Sequence, residues 1–158
     1  MSLFVECKPD ETLALALGVS RHDLEHAGNR AGVCAQVSRR SGTTGMVDED
    51  PGAATPHYMK TLAGEPMEHE IRVLCDSQRK NRLVVICPRL EEWLVQSAKS
   101  SGLKMTDFGF ESDNGLHLHR EINHRLESLK KVVSKLIEGK SKRLLYLQSL
   151  LVKKQSGV

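Results

Sequence analysis

Apolar and polar positions follow two regimes along this chain of 158 residues. Up to about residue 95, short apolar runs alternate with stretches of helical spacing. Beyond residue 115 only the helical spacing persists. The first run, Leu3-Phe4-Val5, predicts a strand that ends at Glu6. A helix follows over 11–17, with Pro9 and Asp10 placed to begin it and Gly18 to stop it. Residues 21–26 read as a short edge strand. Val33, Cys34 and Val37 form the stripe of a second helix over 31–40, which Arg39, Arg40 and Gly42 end in the manner a helix dipole favours. Met46 and Val47 finish another strand. Pro51, Pro56 and Pro66 mark a loop over 51–67 with a helical turn near 56–62. Strands are predicted over 69–75 and 82–87, joined by the polar connection 76–81. The unbroken run Leu83-Val84-Val85-Ile86-Cys87 predicts a central strand buried on both faces. Pro88 is placed to open the next helix, with Glu91 and Glu92 in its first turns and Trp93 in the core.

The C-terminal part reads differently. Residues 102–115, with Gly102, Gly109 and Gly115, predict a loop. Leu118, Ile122, Leu126, Leu129, Val133 and Leu136 carry one helix from 116 to 138, which Gly139 breaks. Ser141 caps a last helix through 153, apolar over more of its circumference than one core face requires. This surplus predicts a subunit contact, either with a second copy or with a partner. The fold class is therefore α/β, a small, mainly parallel sheet flanked by helices. An α/β core spans 1–115, and 116–158 form a C-terminal helical hairpin packed on that core or on a partner.

Composition narrows the class. The hydrophobic fraction of 39% and charged fraction of 27% are those of a globular domain. No apolar stretch reaches the roughly 20 residues of a membrane span, and the N-terminus lacks the basic start of a secretory signal. Cys7, Cys34, Cys75 and Cys87 show no CxxC spacing and read as reduced thiols, which predicts a cytoplasmic location. The net charge of +3 conceals a split. Residues 1–115 hold 13 Lys and Arg against 17 Asp and Glu, and 116–158 hold 10 against 3, so the two parts carry −4 and +7. A basic helical end beside an acidic core suits a phosphodiester ligand; the plainer reading is that these cations solvate outer helix faces.

The acids carry the candidate chemistry. Asp48 lies at the end of a predicted strand, Asp50 in the Pro-Gly turn beyond it, and Glu6 at the end of the first strand. If the two strands are parallel neighbours, Glu6, Asp48 and Asp50 converge on the sheet edge where open α/β folds keep their sites. Three carboxylates so close repel one another unless a cation sits among them, and hard oxygen donors suit Mg²⁺ or Mn²⁺. An acidic turn in which Asp48 caps a helix is the plainer alternative. Ala27 and Gly28, flanked by His26 and Arg30, form either a phosphate-binding nest or an ordinary strand-to-helix turn. His57, Tyr58 and Lys60 lie close in sequence to the aspartate pair. His117, His119 and His124 do not share one helix face and are not read as ligands.

This order of motifs resembles the Toprim domain of topoisomerases, bacterial primases and the nuclease half of overcoming-lysogenization-defect (OLD) proteins. Glu6 corresponds to the strand-terminal glutamate, Asp10 to the acid after it, Asp48 and Asp50 to the Asp-x-Asp pair, and Gly52 to the glycine that follows. Cys7 stands where the family has glycine. The resemblance covers roughly residues 2–95 and is nearest the small OLD-type branch. It implies a Toprim-like sheet and a nuclease requiring Mg²⁺ or Mn²⁺. Asp48 and Asp50 would hold the ion, Glu6 would be a ligand or general acid/base, and Glu91 would complete the shell. Independently of the resemblance, the Ala27–Gly28 turn nominates Arg30, and the basic C-terminal part nominates Lys130, Lys131 and Lys135, as nucleic-acid contacts. Relatives of this kind imply a defence-type system with an ATPase. No GxxxxGK[ST] motif occurs here, so that ATPase would be a separate chain. Two other classes stay open: a non-catalytic module that docks an ATPase or nucleic acid, and a nucleotide-phosphate hydrolase or transferase using the same acids.

Overall fold

The computed structural model describes residues 2–152. Six strands form one sheet: β1 (Leu3–Val5), β2 (Leu24–His26), β3 (Thr44–Asp48), β4 (Ala63–Gly64), β5 (Ile71–Asp76) and β6 (Asn81–Ile86). Their order is β2-β1-β3-β6-β5-β4. The first four in that order pair in parallel, while β5 and β4 add an antiparallel edge. The seven helices among the described residues are α1 (Lys8–Ala16), α2 (Arg30–Ser38), α3 (His57–Lys60), α4 (Leu90–Ser100), α5 (Gly115–Glu121), α6 (Leu126–Glu138) and α7 (Lys142–Leu151).

Strand alternation builds two hydrophobic layers. Leu3, Val5, Met46, Val84 and Ile86 face α1, α4 and the C-terminal helices. Phe4, Val47, Leu83 and Val85 face α2 and α3. β6 is buried throughout except at Arg82, as its unbroken apolar run predicts. Gly45 sets the distance between β3 and α2: a Cβ there would meet Val33 at 2.6 Å and Leu83 at 2.8 Å. At the amino edge, buried Asn81 is a polar hub. Its Oδ1 accepts from the Thr43 N–H (2.9 Å), and its amide donates to the Val37 and Arg40 carbonyls (2.9 and 2.8 Å). An amide that satisfies three buried backbone groups fixes where α2 ends over β6.

Four expectations need correction. Pro88 does not open α4; Arg89 is its N-cap and the helix starts at Leu90. Residues 51–67 are not only loop and helical turn, because β4 adds two strand residues at the sheet edge. Residues 102–115 contain a 3₁₀ turn, Met105–Phe108, that buries Met105. The long helix over 116–138 is two helices, separated by a 3₁₀ turn at Ile122–His124 and a non-helical Arg125 (φ −129°, ψ 40°). The reason is packing: α5 lies on α4 while α6 lies on α1. One straight rod following a single stripe would not serve both.

The last helix is anchored internally. Ser141 caps α7 by accepting the Leu144 N–H, and Leu144, Leu147 and Leu151 are buried in the same core as Leu3 and Val5. Leu147 is therefore core. Leu145, at 38% exposure, is the leucine of α7 that faces outward. Lys153, the expected end of this helix, lies outside the described residues.

No helix among the described residues is long and apolar enough to cross a membrane. All four cysteines are free, with Cys34 and Cys87 buried.

Candidate functional site

The chain starts β1 in the middle of the sheet, steps to β2 on one side, and returns across β1 to β3 on the other. The sheet order therefore reverses between β1 and β3. Carboxyl ends of strands at such a reversal border an open crevice, because the helices leave in opposite directions. Glu6 follows β1 directly and Asp48 ends β3, with Val5 opposite Met46 in register. The two acids meet: the Asp48 N–H donates to Glu6 Oε2 (2.9 Å).

Two further acids close on Asp48 from the helix layer. Asp10, in the first turn of α1, is buried at 4% exposure, and its Oδ2 accepts from the N–H and the thiol of Cys7 (3.2 Å each). Glu91, in the first turn of α4, is buried at 7% exposure. Its Oε1 lies 3.0 Å from His119 Nδ1, whereas its Oε2 is buried with no hydrogen-bond partner among the described residues. Asp48 itself accepts the Leu90 N–H (3.1 Å), which satisfies one of the free donors at the start of α4. The capping role is thus real, and it coexists with the cluster.

Electrostatics marks the crowding. Burial, followed by the charges of Asp10, Glu6 and Glu91, pushes Asp48 from 3.8 up to about 9. Burial is also the main cause for Asp10, raised to about 7, with Glu6 and Glu91 adding to it against the opposing Cys7 hydrogen bonds. Glu6 is raised as well, by burial above all; the Asp48 N–H and the Arg30 charge pull the other way. The Cys7 thiol is pushed up by burial and by Asp10. The carboxylates disfavour one another's ionised forms, an effect that the facing Arg30 charge opposes at Glu6.

Asp50 sits apart from this cluster. It adopts a left-handed conformation (φ 44°), and its carboxylate pairs with Arg89 at 3.2 Å. Arg89 also reaches Glu92 at 3.3 Å. Asp50 nevertheless faces the site, because its charge contributes to the rise at Glu6.

The basic candidates separate too. Arg30 is buried at 8% exposure and donates to the carbonyls of Glu49 and Ala54 (2.8 Å for the latter), so it clamps the loop after β3 while its charge faces Glu6. Lys130, Lys131 and Lys135 are exposed on α6, and Lys130 pairs with Glu127 at 3.2 Å. Tyr58 donates to Asp76 (2.9 Å) beside Asn81, at the opposite edge of the sheet. At the Ala27–Gly28 turn, Asn29 caps α2 by accepting the Gly32 N–H.

The donor set consists of hard carboxylate oxygens and suits Mg²⁺ or Mn²⁺ better than a soft metal. Among the described residues, no three His, Cys, Asp or Glu side chains are preassembled to hold one ion. The fit rests instead on chemistry: mutually destabilising carboxylates around Asp48 and the buried Glu91 Oε2, which like Glu92 Oε2 has no hydrogen-bond partner among the described residues. Arg89 and His119 are the neighbours of the site that the sequence alone does not single out. Asp10 matches a motif position in the sequence, yet nothing local marks it as a member of the cluster.

No protein-family model, curated protein or solved structure matches this chain.

Proposed function

We propose that this chain is a Toprim-like nuclease of the OLD type, hydrolysing phosphodiesters with Mg²⁺ or Mn²⁺. In this reading the core over 1–115 carries a C-terminal helical hairpin, and a separate ATPase subunit works with it in a defence-type system. The observation that carries the reading is the convergence on Asp48 of Glu6, Asp10 and Glu91 at the reversal between β1 and β3, with Asp48 pushed up to about 9. Arg30 faces Glu6 but does not hold Asp48 down, so a ligand that supplies positive charge would favour the ionised cluster.

Asp48 and Glu6 would hold the ion, Glu91 would offer its unpartnered oxygen, and Asp50 would join from the rim. A divalent ion bound there supplies charge to a phosphoryl oxygen and lowers the pKa of a water. The chain's own groups position that chemistry. The Asp48 N–H orients Glu6, the Leu90 N–H orients Asp48, and His119 holds one oxygen of Glu91. Asp50 would have to leave Arg89 to take part, which frees a guanidinium at the rim for a substrate phosphate.

The engagement of Asp50 by Arg89 also favours a second reading, a non-catalytic module that docks an ATPase or nucleic acid. An assay separates the two. With Mn²⁺, and with the ATPase partner once identified, wild type is expected to cleave nucleic acid, and chelation should stop it. Glu6→Gln and Asp50→Asn should each lower turnover by about 100-fold or more, as loss of an electrostatic contact in a transition state does. Full activity of the complex with both acids neutralised would assign catalysis elsewhere.

A further inference from the structure

We propose that a cationic cavity at the junction of α4, α6 and α7 binds the phosphodiester backbone of the substrate, away from the bond that is cut; the identity of that substrate rests on the function proposed above. The cavity is about 730 Å³ and is lined by Lys135, Lys140, Lys142 and Arg143, with Glu138 as its one acid and His69 at its margin. Among the described residues, Lys135, Lys140 and Lys142 have no carboxylate or hydrogen-bond partner for their ammonium groups. Arg143 is held in place: its Nε–H donates to Ser97 Oγ (2.9 Å) and its guanidinium lies 5.2 Å from the Trp93 ring centre.

Two features of this arrangement favour a bound anion, and a third is a cost carried by the free turn. Lys135, Lys140, Lys142 and Arg143 around one concavity give it a positive potential that the concave walls focus. Lys142 and Arg143 occupy the first turn of α7, which holds no acid, so both charges sit at the positive end of the helix dipole. Lys140 adopts a left-handed backbone (φ 57°) that glycine or asparagine takes more readily. A lysine at that position is the costlier choice for the turn.

Continuity with the carboxylates favours a polymer over a single phosphate. Arg143 also lines a second hollow of about 420 Å³, which reaches Pro88 and Glu92 next to the acid cluster. Glu70 lines this hollow as well; Glu92 pairs with Arg89 through Oε1, while its Oε2 is buried with no hydrogen-bond partner among the described residues. Helix α4 bridges the two ends, from Glu91 to Ser100, a span of about 14 Å at 1.5 Å per residue. A backbone engaged by the basic cavity would therefore pass the acids a few phosphates further on.

The test is a fluorescence-anisotropy titration of a labelled single-stranded DNA of about 20 nucleotides over a range of salt, with chelator present so that nothing is cleaved. The double variant Lys140→Gln/Lys142→Gln is expected to flatten the slope of log K against log salt by about 1.4, two contacts at about 0.7 each. Arg79→Gln/Lys80→Gln, exposed in the turn between β5 and β6, should leave the slope unchanged. Lys140→Gly should weaken binding while raising the melting temperature, a pairing that a purely structural lysine would not give. An unchanged slope in the first variant overturns the proposal. So does displacement by inorganic phosphate as effective as displacement by unlabelled oligonucleotide at matched ionic strength. Because no divalent ion is present, failure of the metal reading leaves this outcome untouched.

Discussion

Replacing Asp48 with asparagine is expected to raise the melting temperature of the metal-free protein at pH 8. The amide would keep the oxygen that accepts the Leu90 N–H and would remove a carboxylate that the fold holds in the wrong charge state. The folded-state pKa of Asp48 is raised, from 3.8 to about 9, and that of Asp10 to about 7. A raised carboxylate pKa means that the folded state binds its proton more tightly than the unfolded chain does. The resulting stability is fully present below about pH 4 and is lost as pH climbs through about 7 and then about 9. Wild-type protein without metal should therefore lose stability between pH 5 and pH 9, and Asp48→Asn should lose less. A gain of about 1 kcal/mol or more at pH 8 corresponds to roughly 2–4 °C for a chain of this size. Mn²⁺ must displace those protons to bind, so its stabilisation of wild type should grow over the same interval. Calorimetric scans at several pH values, with and without Mn²⁺, read both effects. A wild-type profile flat across that interval would remove the electrostatic basis of the site.

Leu147→Glu is expected to abolish cooperative folding. Leu147 has no exposure and lies in the core that joins α7 to β1 and α6. An unpaired carboxylate there incurs both the lost packing and the burial of a charge, together more than about 4 kcal/mol. Leu145→Glu, on the outward side of the same helix, should fold as wild type does. Leu145 is the exposed large apolar residue of α7, so this second variant, followed by sedimentation, tests self-association through that face. A dimer that dissociates in Leu145→Glu supports the contact, and unchanged sedimentation argues against it. Folded Leu147→Glu protein would show that the helix does not pack as described.

The strand-terminal acids are legible in the sequence because their signals are local. An apolar run that stops at Glu6 and another that stops at Asp48 locate two strand ends, and parallel pairing brings those ends to the same edge. Burial of β6 is likewise written in its unbroken run of Leu, Val and Ile. What escapes depends on contacts between distant segments. Asp10 and Glu91 are named in the sequence by the family resemblance; by local signal they are ordinary first-turn acids, which helix dipoles favour for any protein. That they face Asp48 follows from how α1 and α4 lie over the sheet. The pairing of Arg89 with Asp50 spans 39 residues and three strands, and no periodicity reports it. Arg30 reads as a nucleic-acid contact beside a glycine turn, yet its partners are two backbone carbonyls of the loop after β3. The break at Arg125 follows from the different partners of α5 and α6, α4 and α1, not from a glycine or proline.

The central claim is that Asp48 and its neighbours form a divalent-ion site. Its most direct test is an electron paramagnetic resonance titration of Mn²⁺ into purified protein at pH 8, where free aqueous Mn²⁺ is counted by its own signal. Wild type is expected to remove ions from solution saturably, with Mg²⁺ competing. Glu6→Gln should weaken that binding by about 10-fold or more, and Asp48→Asn should abolish it, because each removes a hard anionic donor. Equal Mn²⁺ binding by wild type and Asp48→Asn, or none by wild type, would contradict the account.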